Sequence, residues 1–393
     1  MASVTDWSRV IGTTIVNHLR EEELATFRKF KVFAALEASG NITMNQSGRG
    51  MDWNVRFRNT PVSGNTGDTP RTFARQSLWK RAELPWRGFV TTDSIFRREM
   101  LENRGQEALV NVASQMAQRL QESLEQHLAF QVYSDGNAAG KENDFHGLDT
   151  FLKYAADTTI NSNQTANPFA TRTGGGNNAN AADKYGAPNA TYAGLSCALG
   201  FYGGGRLSGT DIWPVAPVDP EADYWSPVII NYNSSGFSGP GGTGAGQNSW
   251  QDNCVEATRE GIFQCKRNDT REAAIDMVVL DRNLYIQYLN RLNSTERALV
   301  TRSTGLRAYG FTDVFEQDGV EITSEYSVPA GRGYGISVGN MELHCLEGQL
   351  FTAEGPFFQE ELQSYRYSCS VLGNLRFRSP RNFFLLAPVT AAT

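Results

Sequence analysis

The sequence predicts an α+β chain organised around one long helix, and three observations carry that reading. Between Thr92 and Val132 apolar residues recur at Phe96, Met100, Leu109, Val112, Ala113, Met116, Leu120, Leu124, Leu128 and Val132, the three-and-four spacing of a single helix face. Just before this stretch, Met51, Trp53, Val55 and Phe57 alternate with Asp52, Asn54, Arg56 and Arg58, the period of a half-buried strand. The C-terminal end is β-rich, with Tyr365, Tyr367, Cys369 and Val371 again two apart.

Taken in order, Trp7, Val10, Ile11, Ile15 and Leu19 give a short amphipathic helix. A second helix runs from Arg20 to Ala38, with Glu21, Glu22 and Glu23 in its first turn, basic residues later and Gly40 as its stop. These form an arm, residues 1–48. Met51–Phe57 and Arg71–Trp86 form a long hairpin within residues 49–90, and the Pro- and Gly-bearing stretch from Asn59 to Pro70 is its tip. A two-stranded ribbon is marginally stable alone, so this one needs a surface, expected on a neighbouring copy. The helix from Thr92 to Val132 would be roughly 60 Å long at 1.5 Å per residue. Thr92, Asp93 and Ser94 are placed to cap its start, and Asp135-Gly136 to end it. A break into two helices near Gly105 is the alternative, and a coiled coil is disfavoured because no strict heptad continues beyond Leu109.

Phe145-His146-Gly147-Leu148 then opens a new unit. The Asn- and Gly-rich segment from Thr158 to Thr191 reads as a surface loop. Beyond it come a strand at Val228–Ile230, a glycine-rich turn at Gly236–Gly246, a helix at Ser249–Cys265, a buried strand at Ile275–Leu280 and a helix at Asp281–Leu292. Further strands are expected at Val320–Val328, Gly335–Leu346, Tyr365–Val371 and Leu375–Phe377.

Composition narrows the function. A net charge of −6 runs against a protein whose main task is to grip phosphate backbone. The charge is uneven, however: Arg49, Arg56, Arg58, Arg71, Arg75, Lys80, Arg81 and Arg87 face only Asp52, Asp68 and Glu83 in the hairpin region. A cationic ribbon on an acidic remainder suits self-association. Trp53, Phe57, Phe73, Trp79 and Trp86 interleave with these arginines, so nucleic acid is a rival partner. The separation of aromatics and arginines onto opposite faces of the first strand favours packing on a protein neighbour. Arg56, Arg58, Arg71 and Arg75 are the candidate inter-subunit ion-pair donors, with Trp53 and Trp79 as packing residues. Five cysteines without a Cys-x-x-Cys pair point to free thiols in a reducing compartment. The start shows no secretory pattern, and the apolar run Phe383–Val389 is too short to span a bilayer, so a soluble, cytoplasmic chain without membrane contact is expected.

The catalytic motifs are weak. Gly335-Ile336-Ser337-Val338-Gly339 fits a nucleophile elbow, but that turn must lead from a strand into a helix, and the residues after Gly339 read as a strand. Gly239-Pro240-Gly241-Gly242-Thr243-Gly244 fits a dinucleotide fingerprint, although Pro240 stiffens it and no acidic residue stands at the end of a second strand. The histidines His18, His127, His146 and His344 lack metal-ligand spacing. No cofactor, metal or catalytic residue is expected, and a nucleotide-dependent enzyme using Gly239–Gly244 is the rival from another class.

The order of elements resembles the major capsid protein of tailed double-stranded DNA bacteriophages, the Hong-Kong-97-like fold also used by encapsulin shells. The resemblance rests on the arm, the basic hairpin, the spine helix, the Asp135-Gly136 turn, Phe145-His146-Gly147-Leu148, a mixed unit and a β-rich return, and covers nearly the whole chain. It implies a peripheral domain of residues 91–139 and 331–362 and an axial domain of residues 140–330 and 363–393. The extended loop, residues 49–90, would reach across the adjacent subunit. Self-assembly into hexamers and pentamers of an icosahedral shell around the phage genome is implied, with only weak non-specific contact to the DNA. Assembly would take place in the host bacterial cytoplasm and end in the virion capsid. An encapsulin-type compartment is the alternative within the same fold. A separate scaffolding protein and a portal protein are implied partners, and the Thr158–Thr191 segment would be able to meet a cement or decoration protein. Lys80, the sole lysine between Arg49 and Arg87, lies away from the tip, so the loop cross-link of some relatives is not expected.

Overall fold

The computed structural model describes residues 30–56, 79–98, 106–153, 188, 190–197, 225–234, 237, 249–266, 275–295 and 314–388. In chain order these hold α1 (Lys31–Ala38), β1 (Ile42–Gln46), β2 (Gly50–Arg56), β3 (Trp79–Pro85), β4 (Arg87–Phe96), α2 (Gln106–Gln131), β5 (Thr191–Tyr192), β6 (Leu195–Ser196), β7 (Val228–Asn231), α3 (Trp250–Cys265), β8 (Met277–Leu280) and α4 (Arg282–Thr295). They continue with β9 (Phe315–Gln317), β10 (Val320–Ser324), β11 (Gly333–Ile336), β12 (Met341–Leu346), β13 (Thr352–Gln359), β14 (Ser364–Phe377) and β15 (Phe384–Ala387). Two compact units result. One comprises Met1–Arg49, Pro85–Gly147 and Glu342–Arg376, the other Gly50–Leu84, Leu148–Met341 and Phe377–Thr393. These units cut the chain differently from the expected domains: residues 331–341 fall in the second unit, where β11 pairs with β8 and β15, and residues 140–147 and 363–376 fall in the first, where β14 pairs with β4 from Ser364 to Gly373.

In the first unit a five-stranded sheet runs β1-β12-β14-β13, with β4 also on β14. The β4–β14 ladder is antiparallel from Arg87↔Gly373 to Phe96↔Ser364, and β1 lies parallel to β12. Period-two patterning sends Tyr367, Cys369 and Val371 inward, and α2 packs on β4. Met116, Leu120, Leu124, Leu128 and Val132 are all buried, the face expected of the long helix. Helix α1 begins at Lys31 after an extended Phe30 (φ -107), so the helix expected from Arg20 is not continuous, and its C-terminal stop is Gly40 as expected. Gly40 has φ +68 and donates to the Glu37 carbonyl, and Asn41 donates to that of Leu36, the paired bonds of a Schellman stop.

The start and end of the long helix need correction. Thr92–Phe96 belong to β4, so Thr92, Asp93 and Ser94 cap nothing. Val90, Thr91, Thr92 and Ile95 are β-branched and lose χ1 freedom in a helix, and the open ladder on β14 takes them instead. Helical backbone follows β4 at Arg97 and Arg98, and the helix is continuous over Gln106–Gln131; Gly105, the expected weak point, lies outside the described residues. It stops short of Asp135-Gly136, where Tyr133 and Ser134 donate backbone bonds to Phe130 and Gln131.

In the second unit a six-stranded mixed sheet has the order β7-β15-β11-β8-β10-β9. Strands β7, β8, β11 and β15 are buried at every position, which explains their unbroken apolar runs. Helix α3 packs on β7 and β15 and against α4, around Val228, Ile230, Trp250, Ile262, Val278 and Leu386. Gly261 of α3 and Gly335 of β11 both lie against the Phe384 ring, so a Cβ at either would collide with it. Asp318 (φ 53) and Gly319 (φ 80) form the two-residue turn between β9 and β10, where both central positions need positive φ. All five cysteines are free and buried. Burial pushes the thiol of Cys254 up to about 11 and that of Cys369 to about 12. Among the described residues no helix is long and apolar enough to cross a membrane.

Candidate assembly site

The cationic hairpin is the sequence feature with the clearest functional charge, and its root, β2 with β3, is a two-stranded sheet of the second unit. Alternation sorts the root into faces. Met51, Val55, Ala82 and Leu84 are buried, with Trp53 half-buried between the first two. Asp52, Asn54 and Arg56 of β2 and Trp79, Arg81 and Glu83 of β3 are exposed. Arg81 Nε pairs with Asp52 Oδ2 at 3.2 Å across the ribbon; both side chains are more than half exposed, so the pair adds little stability.

The root takes its support from its own chain, which corrects the expectation of a neighbour's surface for this part of the ribbon. Trp53 Nε1 donates to the Arg378 carbonyl at 3.2 Å, and its ring lies 6.3 Å from that of Tyr192. Glu83 N–H donates to the Ala193 carbonyl at 3.1 Å. Tyr192 is fully buried, accepts the Phe377 N–H at 2.9 Å and touches the rings of Phe151, Trp225 and Phe377. Of the six residues singled out from the sequence, the structure brings Trp53, Arg56 and Trp79 into one ribbon root. Trp53 sits on the inner side, Arg56 on the outer, and Trp79 also on the outer, 58% exposed. Period two in β3 thus puts this aromatic beside Arg81 and Glu83 on the polar face. Arg58, Arg71 and Arg75 lie outside the described residues.

Sequence reasoning missed a set of polar side chains in the first unit, half-buried Arg87 with buried Gln131, Ser134 and Asn374, that fixes the segment after α2. One guanidinium nitrogen of Arg87 donates to the carbonyls of Gly136 (2.5 Å), Asp144 (2.8 Å) and Lys141 (3.2 Å). Gln131 Oε1 accepts the Phe145 N–H at 2.7 Å, and Ser134 Oγ donates to the Phe145 carbonyl at 2.7 Å. Asn374, buried on β14, accepts the His146 N–H and donates to the Pro85 carbonyl. His146 is held neutral, its pKa lowered to about 4 by burial and then by the Arg87 charge. A Cβ at Gly147 would collide with the backbone of Gln131, Val132 and Ser134. That tight approach is the physical content of Phe145-His146-Gly147, and Gly147 was the one signal of it in the sequence. Trp86 Nε1 also donates to the Gly48 carbonyl at 2.9 Å, tying together the chain entering and leaving the ribbon.

The catalytic motifs resolve into structural roles where they are described. Ser337 is buried and accepts from Asn340 Nδ2 at 3.0 Å, within a strand–turn–strand passage from β11 to β12. Asp276 accepts the Val338 N–H at 2.7 Å in that turn, and burial raises its pKa against this bond. His344 Nε2 contacts Glu342 Oε2 at 2.8 Å, and Glu342 also pairs with Arg376. Asp149 Oδ2 pairs with Arg332 at 2.6 Å while its Oδ1 accepts from the Tyr334 hydroxyl at 2.7 Å. His127 is an exposed helix residue whose ring meets Phe89 edge-on at 4.6 Å. Among the described residues no group of three or more His, Cys, Asp or Glu is placed to hold a metal ion. Gly239–Gly244 lie outside the described residues.

The chain matches no family model and no curated protein. Among solved structures it is similar to a chain of the cyanophage A-1(L) capsid asymmetric unit, at 13% identity, covering 88% of this chain and 90% of that one with a TM-score of 0.52. It is also similar, more loosely, to the capsid of an empty GTA particle (10% identity, 91% and 97% covered, TM-score 0.48). The capsid of Myoviridae phage XM1 is a further such likeness (12% identity, 90% and 91% covered, TM-score 0.46). The first likeness shows the fold: α+β, of the Hong-Kong-97-like kind.

Proposed function

We propose that this chain is a major capsid protein, whose copies associate into hexamers and pentamers of an icosahedral shell around a phage double-stranded DNA genome. The observation that carries this reading is a fold shared with the cyanophage A-1(L) capsid over nearly the full length of both chains. The charge pattern supports it, because a cationic ribbon on an otherwise acidic chain makes one part of each copy complementary to the remainder of the next. The first unit, with α2 and its one-sided sheet, would serve as the peripheral domain, and the second, with the doubly covered sheet, as the axial domain. Arg56, Arg58, Arg71 and Arg75 would pair with acidic groups of a neighbour, and Trp79 would pack there. The protein acts by geometry and carries out no catalysis. Its further partners are a scaffolding protein, a portal protein and a decoration protein, and its place is the virion capsid, assembled in the bacterial cytoplasm.

Reversing Arg56 and Arg58 to glutamate tests this. The native chain is expected to form closed particles, rings of five or six, or tubes in negative-stain electron microscopy. The double variant should keep its circular dichroism and stay unassembled. Closed shells from the variant would overturn the ribbon contacts, and a native chain that stays a small uniform oligomer when concentrated would overturn the shell reading.

A further inference from the structure

We propose that Trp53 is a positioning residue of assembly, one that fixes the ribbon root on its own chain and so sets the direction in which Arg56 and Trp79 are presented to the next copy. The proposal rests on the shell-forming reading. Its basis is that both strands of the root are tied to one small hairpin, β5–β6. Strand β2 reaches it through the Trp53 ring on Tyr192, and β3 through the Glu83 N–H on the adjacent Ala193 carbonyl. Ala193 holds a left-handed φ of 51, which marks it as part of a tight turn with its carbonyl fixed in direction. Tyr192 is itself immobilised by its bond from Phe377 N–H and by surrounding rings, and Trp53 Nε1 makes a second tie one residue further along, at Arg378.

A two-stranded ribbon has little stiffness of its own, so its direction is set by what holds its base. Met51 and Val55 supply undirected apolar contact on either side of Trp53. The indole adds the directed element, a hydrogen bond and a ring contact at once. Trp53 is only half-buried, so its loss removes this directional tie while the buried Met51, Val55, Ala82 and Leu84 still hold the strands down.

The experiment compares full-length native chain with Trp53→Ala, Trp53→Phe and Trp79→Ala. Unassembled protein is followed by circular dichroism and thermal unfolding, and particles by electron microscopy and sedimentation velocity. The native chain is expected to close into particles of one diameter. Trp53→Ala should fold and associate, yet yield mixed diameters, open sheets or tubes, and Trp53→Phe should broaden the diameter distribution less. Trp79→Ala, on the outer face, should weaken association without changing particle diameter. Native-diameter shells from Trp53→Ala at native yield would overturn the proposal. So would a folded Trp53→Ala that no longer associates at all, since the indole would then be a direct contact between copies. Should Trp53→Ala fail to fold, the phenylalanine variant decides, and an unbroadened native diameter overturns the proposal. A native chain that never closes into particles would overturn the shell reading, and this role with it.

Discussion

The two sheets of this protein are stabilised in different ways. In the second unit Met277–Leu280, Gly333–Ile336 and Phe384–Ala387 are buried residue after residue, so apolar burial dominates these strands, with polar ties such as Tyr334 to Asp149 added at their margin. In the first unit β4 and β14 alternate, leaving Val90 and Leu372 exposed, and buried polar groups such as Asn374, Glu342 and His146 share the interior. A sheet covered on both sides is an interior scaffold. A sheet covered on one side keeps a face for other molecules and relies on directional bonds for part of its order.

The comparison is open to test at three points. The largest effect is expected in the doubly covered sheet: Leu280→Ala should cost about 3–4 kcal/mol, because a fully buried leucine leaves a cavity that its neighbours cannot fill. Hydrogen exchange of the β8 amides should accelerate accordingly, and unchanged protection would show that this sheet is more plastic than it looks. Acid should act on the other unit. His146 titrates near 4 when folded and near its ordinary 6.5 when unfolded. The unfolded chain therefore binds more protons between these values, and stability falls as pH drops from 6.5 through 4. The loss should be on the order of 3 kcal/mol. Urea midpoints at about pH 7 and about pH 4.5 should differ, and His146→Asn should flatten the difference. The smallest effect belongs to the open face: Val90→Ser, at a side chain 62% exposed, should move stability by no more than about 0.5 kcal/mol. A larger loss would mean that this face is covered within the single chain.

Legibility in the sequence divides along the same line. Continuous apolar runs and helical stripes revealed Val228–Ile230, Ile275–Leu280, Ser249–Cys265 and Asp281–Leu292 to within a few residues, because burial alone decides those segments. The alternation of Met51, Trp53 and Val55 gave the correct inner face of β2. The miss at Thr92–Phe96 arose where a helical repeat and a β-branched run overlap, and only the distant partner β14 decides between them. Strands β1 and β13 went unread for a related reason, since they sit at the ends of the sheet order and need carry no strong pattern. The polar network of Arg87, Gln131 and Asn374 left no trace beyond Gly147, because each bond joins a side chain to backbone far away in sequence, and any sequence can offer the carbonyl. Among the ribbon residues, the sequence told inside from outside in β2. It did not foresee that Trp79 faces outward while Trp53 faces a turn of its own chain.

The five sealed thiols give the protein one further property. Since the thiolate is the reactive species, and burial both hides these sulfurs and holds Cys254 and Cys369 protonated, alkylating reagents find no fast target on the folded chain. A single cysteine written onto an exposed position, Glu83→Cys on the ribbon or Val90→Cys on the open sheet, would then take a maleimide dye or a gold cluster stoichiometrically. The fold comes ready for site-directed labelling, with no native sulfur to be removed first.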